Sequence, residues 1–148
     1  PDEARKLAMS LERDLAAREI DVAIKWLKQE KGLTKVGCTG FCMGGGLTLA
    51  TAIRPGSNVD AVHVYYGGGI GDVLNEAPRC PVLGHFGERD AMIPMAVIGE
   101  WRKRYPQHPV HSYDAGHGFN CDHRGSYDAD AAALARERTL AFFRQHVG

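Results

Sequence analysis

Short apolar runs alternate with longer stretches of helical periodicity along the 148 residues. Four runs rich in valine, tyrosine and other strand-forming residues predict strands at 34–40, 61–66, 81–86 and 110–113. Apolar residues at helical spacing predict helices at 2–31, 47–53 and 94–105, and another at the end of the chain. This order predicts an α/β fold with a mainly parallel sheet and helices on both faces.

The same pattern predicts which faces are buried. Two apolar stripes follow each other in the first helical stretch, with a break expected near Ala16: Leu7, Leu11 and Leu15, then Ile20, Ala23 and Leu27. The last helix is predicted to bury one face through Ala133, Leu140, Phe143 and Val147. The strand at 34–40 is largely apolar, which is typical of a buried parallel strand.

Composition and charge narrow the class of protein. The 18 basic and 18 acidic residues cancel, and no basic stripe favours nucleic acid. No apolar run approaches the roughly 20 residues that a membrane span needs, and the charged N-terminus lacks the apolar core of a signal peptide. We therefore expect residues 1–148 to form a single cytoplasmic domain that binds neither nucleic acid nor membrane.

The first predicted strand runs into a cluster of glycines around Cys42. Gly40 and Gly44 complete the order G-x-C-x-G, which is the nucleophile elbow of α/β-hydrolases with cysteine in place of serine. A strand that turns sharply into a helix strains the turn residue, so we expect Gly40 and Gly44 to lie too close to other backbone to allow a Cβ. This turn would expose the Cys42 sulfur.

The elbow also predicts how Cys42 would react. At a helix N-terminus the sulfur meets the positive end of the helix dipole, which favours the reactive thiolate, and the Met43 N–H points at a developing oxyanion. The alternative is that Cys42 is a buried small hydrophobe, as free cysteines often are. The other cysteines, Cys38, Cys80 and Cys121, show no CxxC spacing and are interpreted as thiols.

Two further polar residues follow the ends of predicted strands. Asp90 comes after the third strand and His117 after the fourth, and the carboxyl ends of parallel strands meet at one edge of a sheet. Histidine titrates near neutral pH, so His117 could take the thiol proton while Asp90 fixes its tautomer. Glu88 and Asp114 are the rival acids, and a solvated loop histidine and a helix-capping aspartate are the structural alternatives.

A zinc site is a competing interpretation of the same region. Five possible ligands lie within thirteen residues: His111, His117, Cys121, Asp122 and His123. Their spacing contains no C-x-x-C or H-E-x-x-H pair, and His111 falls in a predicted strand. We therefore expect no metal.

Taken together, these motifs resemble the dienelactone hydrolase family. The resemblance extends over nearly the whole chain and rests on five short matching segments: Gly40 to Gly45, Tyr65 to Gly67, Gly87 to Pro94, Ala115 to Phe119 and Ala131 to Leu140. The resemblance implies an α/β-hydrolase without cofactor that cleaves lactones or carboxylic esters through a thioester on Cys42. It also implies that His117 and Asp90 complete a Cys-His-Asp triad.

The chain departs from the family pattern in two places. The family has several strands before the elbow strand, with a glutamate that controls the cysteine and a second oxyanion donor, so this chain resembles the C-terminal two-thirds of the fold. An N-terminal segment or second chain is the partner expected to complete the sheet. Best-known members also place a carboxylate-binding arginine where Cys121 stands, so Arg124 and Tyr66 are the expected substrate-binding residues.

Two other functions compete with hydrolysis. A chain with one oxyanion donor and a partial sheet could be a non-catalytic module that pairs through its sheet edge. An activated, exposed cysteine could instead serve as a redox sensor. A sensor would not need Asp90 and His117, whereas a hydrolase would.

Overall fold

Four parallel strands form the sheet of the computed structural model, which describes residues 2–148. They are β1 (Gly37–Phe41), β2 (Ala61–Tyr65), β3 (Val82–Gly87) and β4 (Val110–Tyr113), and they lie side by side in chain order. Every neighbouring pair is parallel. The predicted strands and the predicted parallel sheet are confirmed, with boundaries that differ by at most three residues.

Five α-helices surround this sheet in the described part of the chain. They are α1 (Asp2–Met9), α2 (Arg13–Glu30), α3 (Met43–Ile53), α4 (Met95–Arg104) and α5 (Ala129–His146), and a short 3-10 helix spans Ile70–Val73. Among residues 2–148, no helix combines the length and apolar character needed to cross a bilayer.

Alternate residues of β2 contact helices on opposite faces of the sheet. Val62 and Val64 pack in the same cluster as Leu49 of α3. Ala61 packs with Phe142 and Phe143 of α5. Because successive strand side chains point to opposite faces, α3 and α5 cover the two sides. The prediction of helices on both faces is confirmed.

The first helical stretch differs from its prediction. The break falls at residues 10–12 rather than near Ala16, and the Ser10 hydroxyl donates to the Leu7 carbonyl at 2.9 Å, a local hydrogen bond that competes with helix continuation. Leu7, Leu11 and Leu15 are exposed. On α2 the buried residues are Ala16, Ala17, Asp21 and Ile24. Ile20 and Leu27 of the predicted second stripe pack against the core while partly exposed, and Ala23 is exposed.

The prediction for α5 is half right, and the one for β1 is wrong. On α5, Phe143 and Val147 pack partly buried against the core, as predicted, whereas Ala133 and Leu140 are exposed and the fully buried residues are Ala131, Ala132, Ala135 and Phe142. β1 forms one edge of the sheet made by the described residues and has an exposed Phe41, rather than lying fully buried. Thr139 lies in one helical row with Ala135 and Phe142 and makes hydrogen bonds to the sheet, which apolar periodicity does not take into account.

A partly buried chain of hydrogen bonds connects α5 to the sheet. Arg138 donates to the Tyr113 hydroxyl at 3.0 Å, and the Tyr113 hydroxyl lies 2.8 Å from His85 Nδ1. A guanidinium can only donate, so the Tyr113 hydroxyl accepts from Arg138. The single proton of the Thr139 hydroxyl goes to the Ala135 carbonyl, so Thr139 accepts from His85 Nε2 at 3.2 Å, and the unprotonated His85 Nδ1 accepts from Tyr113.

The chain continues beyond Thr139 to the second histidine of the sheet. The Thr139 hydroxyl donates to the Ala135 carbonyl at 2.7 Å, so it also accepts from His63 Nε2 at 3.0 Å. His63 Nδ1 then accepts from the Thr39 hydroxyl at 2.8 Å. Burial lowers the pKa of His63 to about 3, and burial with nearby His63 lowers that of His85 to about 2. Both imidazoles are neutral.

Acid is expected to destabilise the fold through these two histidines. In the unfolded state each histidine titrates near its ordinary pKa of 6.5, whereas in the folded state it stays neutral until the pH is far lower. The unfolded state thus binds more protons, and stability that is full above about pH 6.5 is lost as the pH falls towards 3. We expect the free energy of unfolding to fall by up to about 1.4 kcal/mol per pH unit for each histidine.

Urea denaturation between pH 8 and pH 5 measures this slope. His123→Gln, which removes an exposed imidazole, is the control and should leave the slope unchanged. A free energy of unfolding that stays flat between pH 7 and pH 5 would contradict the prediction.

Candidate active site

Cys42 occupies the sharp turn between β1 and α3. Its backbone has φ 54° and ψ −119°, a left-handed conformation that is strained for a residue with a Cβ. The Cys42 N–H donates to the Tyr65 carbonyl at 3.0 Å. Its carbonyl accepts from the N–H groups of Gly45 at 3.0 Å, Gly46 at 3.3 Å and Gly68 at 3.4 Å. These main-chain bonds hold the strained turn in place.

The glycines around the turn do not all have the predicted role. A Cβ on Gly40 would collide with the carbonyl of Gly44, as expected. A Cβ on Gly44 would meet nothing within 4 Å, so the prediction that this position has no room was wrong. The close approaches fall on the next two residues, since a Cβ on Gly45 would lie 2.8 Å from the Gly67 Cα and one on Gly46 would strike the Gly68 carbonyl.

The described structure brings Cys42, Asp90 and His117 together at one edge of the sheet. His117 Nε2 lies 3.2 Å from Cys42 Sγ, and His117 Nδ1 lies 2.6 Å from Asp90 Oδ2. The Asp90 carboxylate is fully buried, and its other oxygen accepts the Met92 N–H at 2.8 Å. With Nδ1–H donating to Asp90, His117 Nε2 is left as an acceptor facing the thiol.

Two neighbours support the His117 imidazole. The Ser126 hydroxyl donates to the His117 carbonyl at 2.7 Å, which fixes the loop that carries the ring. The Tyr66 ring packs against the imidazole with centroids 5.1 Å apart, and Tyr66 itself has a left-handed φ of 36°. Burial is the main cause that raises the pKa of the Tyr66 phenol to about 12, so this buried side chain is neutral.

The rival carboxylates make other contacts. Glu88 accepts from the Ser112 hydroxyl at 2.8 Å, and Asp114 pairs with Arg89 on the surface. Of the three carboxylates, Asp90 is the one that contacts His117.

A cleft of about 400 Å³ opens beside the sulfur. Cys42, Met43, His117, Gly68 and Gly69 line its inner part. Met43 is the first residue of α3, and N–H groups in the first turn of a helix have no intrahelical acceptor. The Met43 N–H therefore has no acceptor within its own helix and lies at a residue that lines the cleft.

The outer wall of the cleft was missed in the sequence. It comes from α1 and the residues after it, which contribute Ala8, Met9, Leu11 and Arg13 to the cleft that Cys42 also lines, and from Met92 after β3. The signal in the sequence was the apolar stripe of Leu7, Leu11 and Leu15, of which Leu11 lines the cleft.

The two expected substrate-binding residues lie elsewhere. Tyr66 is buried behind the imidazole and Arg124 is exposed, packing along Gly118, and neither lines the cleft. Their role as substrate ligands stays a prediction. Within residues 2–148, no group of three or more histidine, cysteine, aspartate or glutamate side chains is placed to hold a metal ion.

Known proteins similar to this chain share both sequence and architecture. The model of the dienelactone hydrolase family matches residues 2–147. The carboxymethylenebutenolidase of Pseudomonas putida is 34% identical over 148 residues, a match that covers 95% of this chain and 62% of that protein. The chain therefore spans less than two-thirds of the length of this curated relative.

Solved structures agree on the fold. The crystal structure of a protein assigned as a dienelactone hydrolase, from Klebsiella pneumoniae subsp. pneumoniae MGH 78578, has a TM-score of 0.78 to this chain. Its sequence is 27% identical, and the match covers 88% of this chain and 60% of that one. Thermogutta terrifontis esterase 2 is 18% identical, with a TM-score of 0.70 over 92% of this chain and 65% of that one. At that identity, the esterase supports the fold alone.

Proposed function

The chain belongs to the dienelactone hydrolase family, and on that premise we propose that it hydrolyses a lactone or carboxylic ester with Cys42 as the nucleophile. The observation that carries the proposal is the continuous hydrogen-bonded row from Cys42 Sγ through His117 to the buried Asp90. A nucleophile, a base within hydrogen-bond reach and a group that orients the base are the features of covalent acyl transfer.

The first half of the proposed reaction forms a thioester. His117 Nε2 takes the Cys42 proton as Sγ attacks the carbonyl carbon, and the carbonyl oxygen becomes an oxyanion that accepts from the Met43 N–H. The Asp90 carboxylate stabilises the imidazolium formed in this step. As the carbonyl re-forms, the C–O bond to the leaving group breaks and His117 gives its proton to the departing alkoxide.

The second half returns the thiol. His117 takes a proton from water as the water oxygen attacks the thioester carbon, and the tetrahedral intermediate again uses the Met43 N–H. Collapse breaks the C–S bond, and the proton on His117 goes to the sulfur. The products are a carboxylic acid and an alcohol, or a hydroxy acid where the substrate is a lactone.

A second oxyanion donor belongs to the proposal as well. Oxyanion holes normally use two donors, and loss of one costs roughly a hundred- to a thousandfold in turnover. The proposal assigns the Met43 N–H as one donor and assigns the second to an N-terminal segment or second chain that completes the sheet. The partner in catalysis is then a small-molecule ester or lactone.

The geometry favours hydrolysis over the two rival functions. A redox sensor needs an activated sulfur but no acid behind the base, and a non-catalytic module needs neither. Here the Asp90 carboxylate is fully buried, with both oxygens engaged by His117 and by the Met92 N–H. Burying a carboxylate is costly unless it is hydrogen-bonded in this way.

Thiol alkylation tests the proposed nucleophile without any assumption about the substrate. Iodoacetamide near pH 7 should label Cys42 first, because His117 accepts its proton and the cleft exposes its sulfur. Burial raises the pKa of Cys38, and burial raises that of Cys80 to about 12, so both are internal controls that should react slowly. Peptide mass spectrometry gives the order of labelling.

His117→Ala should slow the labelling of Cys42 and leave the other cysteines unaffected. Faster labelling of Cys121 than of Cys42 in the unaltered chain would contradict the assignment of the nucleophile.

A further inference from the structure

The cleft beside Cys42 has an outer wall that the proposed chemistry does not use. The outer wall contributes the apolar side chains of Met9, Leu11 and Met92, and Met43 and Leu47 of α3 add two more large apolar side chains to the cleft. The three methionines are 76%, 50% and 69% exposed in the order Met9, Met43 and Met92. Exposed apolar side chains that gather around a concave site mark a place where a ligand covers them.

Charge is nearly absent from this wall. Arg13 is the one permanently charged side chain that lines the cleft in the described part of the chain. Its guanidinium lies 3.4 Å from the Asp72 carboxylate and packs on the backbone at Gly69, where a Cβ would come within 2.9 Å of its Cζ. The positive charge therefore already has a counter-charge at the rim.

We infer that the cleft selects esters and lactones whose acyl group is uncharged and apolar, with Met9, Leu11 and Met92 as the residues that set this preference. The inference rests on the proposed function, since it describes what that site accepts. Methionine is flexible and polarizable, so this wall adapts to acyl groups of different shape. An ionised carboxylate in the same place would lose its water against apolar side chains.

A series of p-nitrophenyl esters tests the preference on the 148-residue chain. From acetate to hexanoate, kcat/KM should rise by about two- to fourfold for each added methylene that the wall covers. The mono-p-nitrophenyl ester of adipic acid matches hexanoate in length but ends in a carboxylate, and it should be at least about tenfold poorer than hexanoate. Equal or better cleavage of the adipate ester would overturn the inference.

Two substitutions of matched exposure locate the effect. Leu11 lines the cleft and is 44% exposed, whereas Leu15 is 46% exposed and lies outside the lining. Leu11→Asp should cut kcat/KM for hexanoate about tenfold while changing acetate little, and Leu15→Asp should change neither. Equal losses in the two variants would show that the wall is not a substrate surface.

Arg13→Gln tests the remaining alternative, in which a substrate carboxylate replaces Asp72 as the ion-pair partner of Arg13. The inference expects Arg13→Gln to leave the ratio of hexanoate to adipate rates within about twofold. A rise of tenfold or more in that ratio would show that Arg13 binds a substrate carboxylate, and the inference would be wrong.

A second readout works even if turnover is slow. N-hexylmaleimide and 6-maleimidohexanoic acid carry the same reactive group and differ at the far end of a chain of matched length. The hexyl reagent should label Cys42 at least about tenfold faster, and Leu11→Asp should reduce that advantage. An absence of ester turnover together with this labelling preference would overturn the proposed function and support the apolar cleft. Cys42-dependent turnover without the labelling preference would support the proposed function and overturn the apolar cleft.

Discussion

Cys42→Ala is expected to lower ester or lactone hydrolysis by on the order of ten-thousandfold or more, since residues that act as a catalytic unit lose most of their effect when the nucleophile is removed. The substitution removes one sulfur atom that faces the cleft, so it leaves the hydrogen bonds of the turn intact. Initial rates with p-nitrophenyl butanoate measure the loss. Circular dichroism and a thermal melt establish that the variant is folded.

The other thiols provide the control for this result. Cys38→Ala and Cys80→Ala remove sulfur atoms of similar size from packed positions, and they should keep activity within a few fold. Turnover that persists in Cys42→Ala at near the original rate would exclude the covalent mechanism.

Asp90→Asn should lower turnover by up to several orders of magnitude, because it changes the tautomer of His117. The Met92 N–H would hold the amide oxygen in the place of Asp90 Oδ1, which turns the amide NH₂ towards His117 Nδ1. Nδ1 would then accept a hydrogen bond, and the imidazole proton would move to Nε2, which faces Cys42. An imidazole in that form cannot take the thiol proton.

Two neighbouring carboxylates serve as controls for Asp90. Glu88→Gln and Asp114→Asn change groups that contact Ser112 and Arg89 rather than His117, so their kcat should stay within a few fold of the unaltered chain. A kcat that falls more in Glu88→Gln or Asp114→Asn than in Asp90→Asn would reassign the acid.

The sequence was sufficient to predict how the sheet is built and which polar residues meet at its edge. Strand-forming runs and helical periodicity place Cys42, Asp90 and His117 after successive strands, and a parallel sheet then collects those positions at one end. Geometry of this kind follows from topology alone. It does not depend on how any one helix is rotated about its axis.

Helix rotation and local packing were the parts that the sequence could not settle. On α5, Thr139 contacts His63 and His85, and Ala135 and Phe142 in the same helical row are buried in place of Leu140. A prediction based on the spacing of apolar residues does not include such polar contacts. Likewise, the room around Gly44 depends on the path of the turn in space, which a G-x-C-x-G spacing does not specify.

The turn at Cys42 is held by its own peptide groups. The four hydrogen bonds to Tyr65, Gly45, Gly46 and Gly68 all involve main-chain atoms, and none involves sulfur. The conformation of the turn therefore does not depend on which side chain stands at position 42. A serine there would be presented to His117 at the same position, but with a different acidity and a different bond to the acyl group. Natural selection can in this way replace the reacting atom in a single step while the framework that aims it stays unchanged.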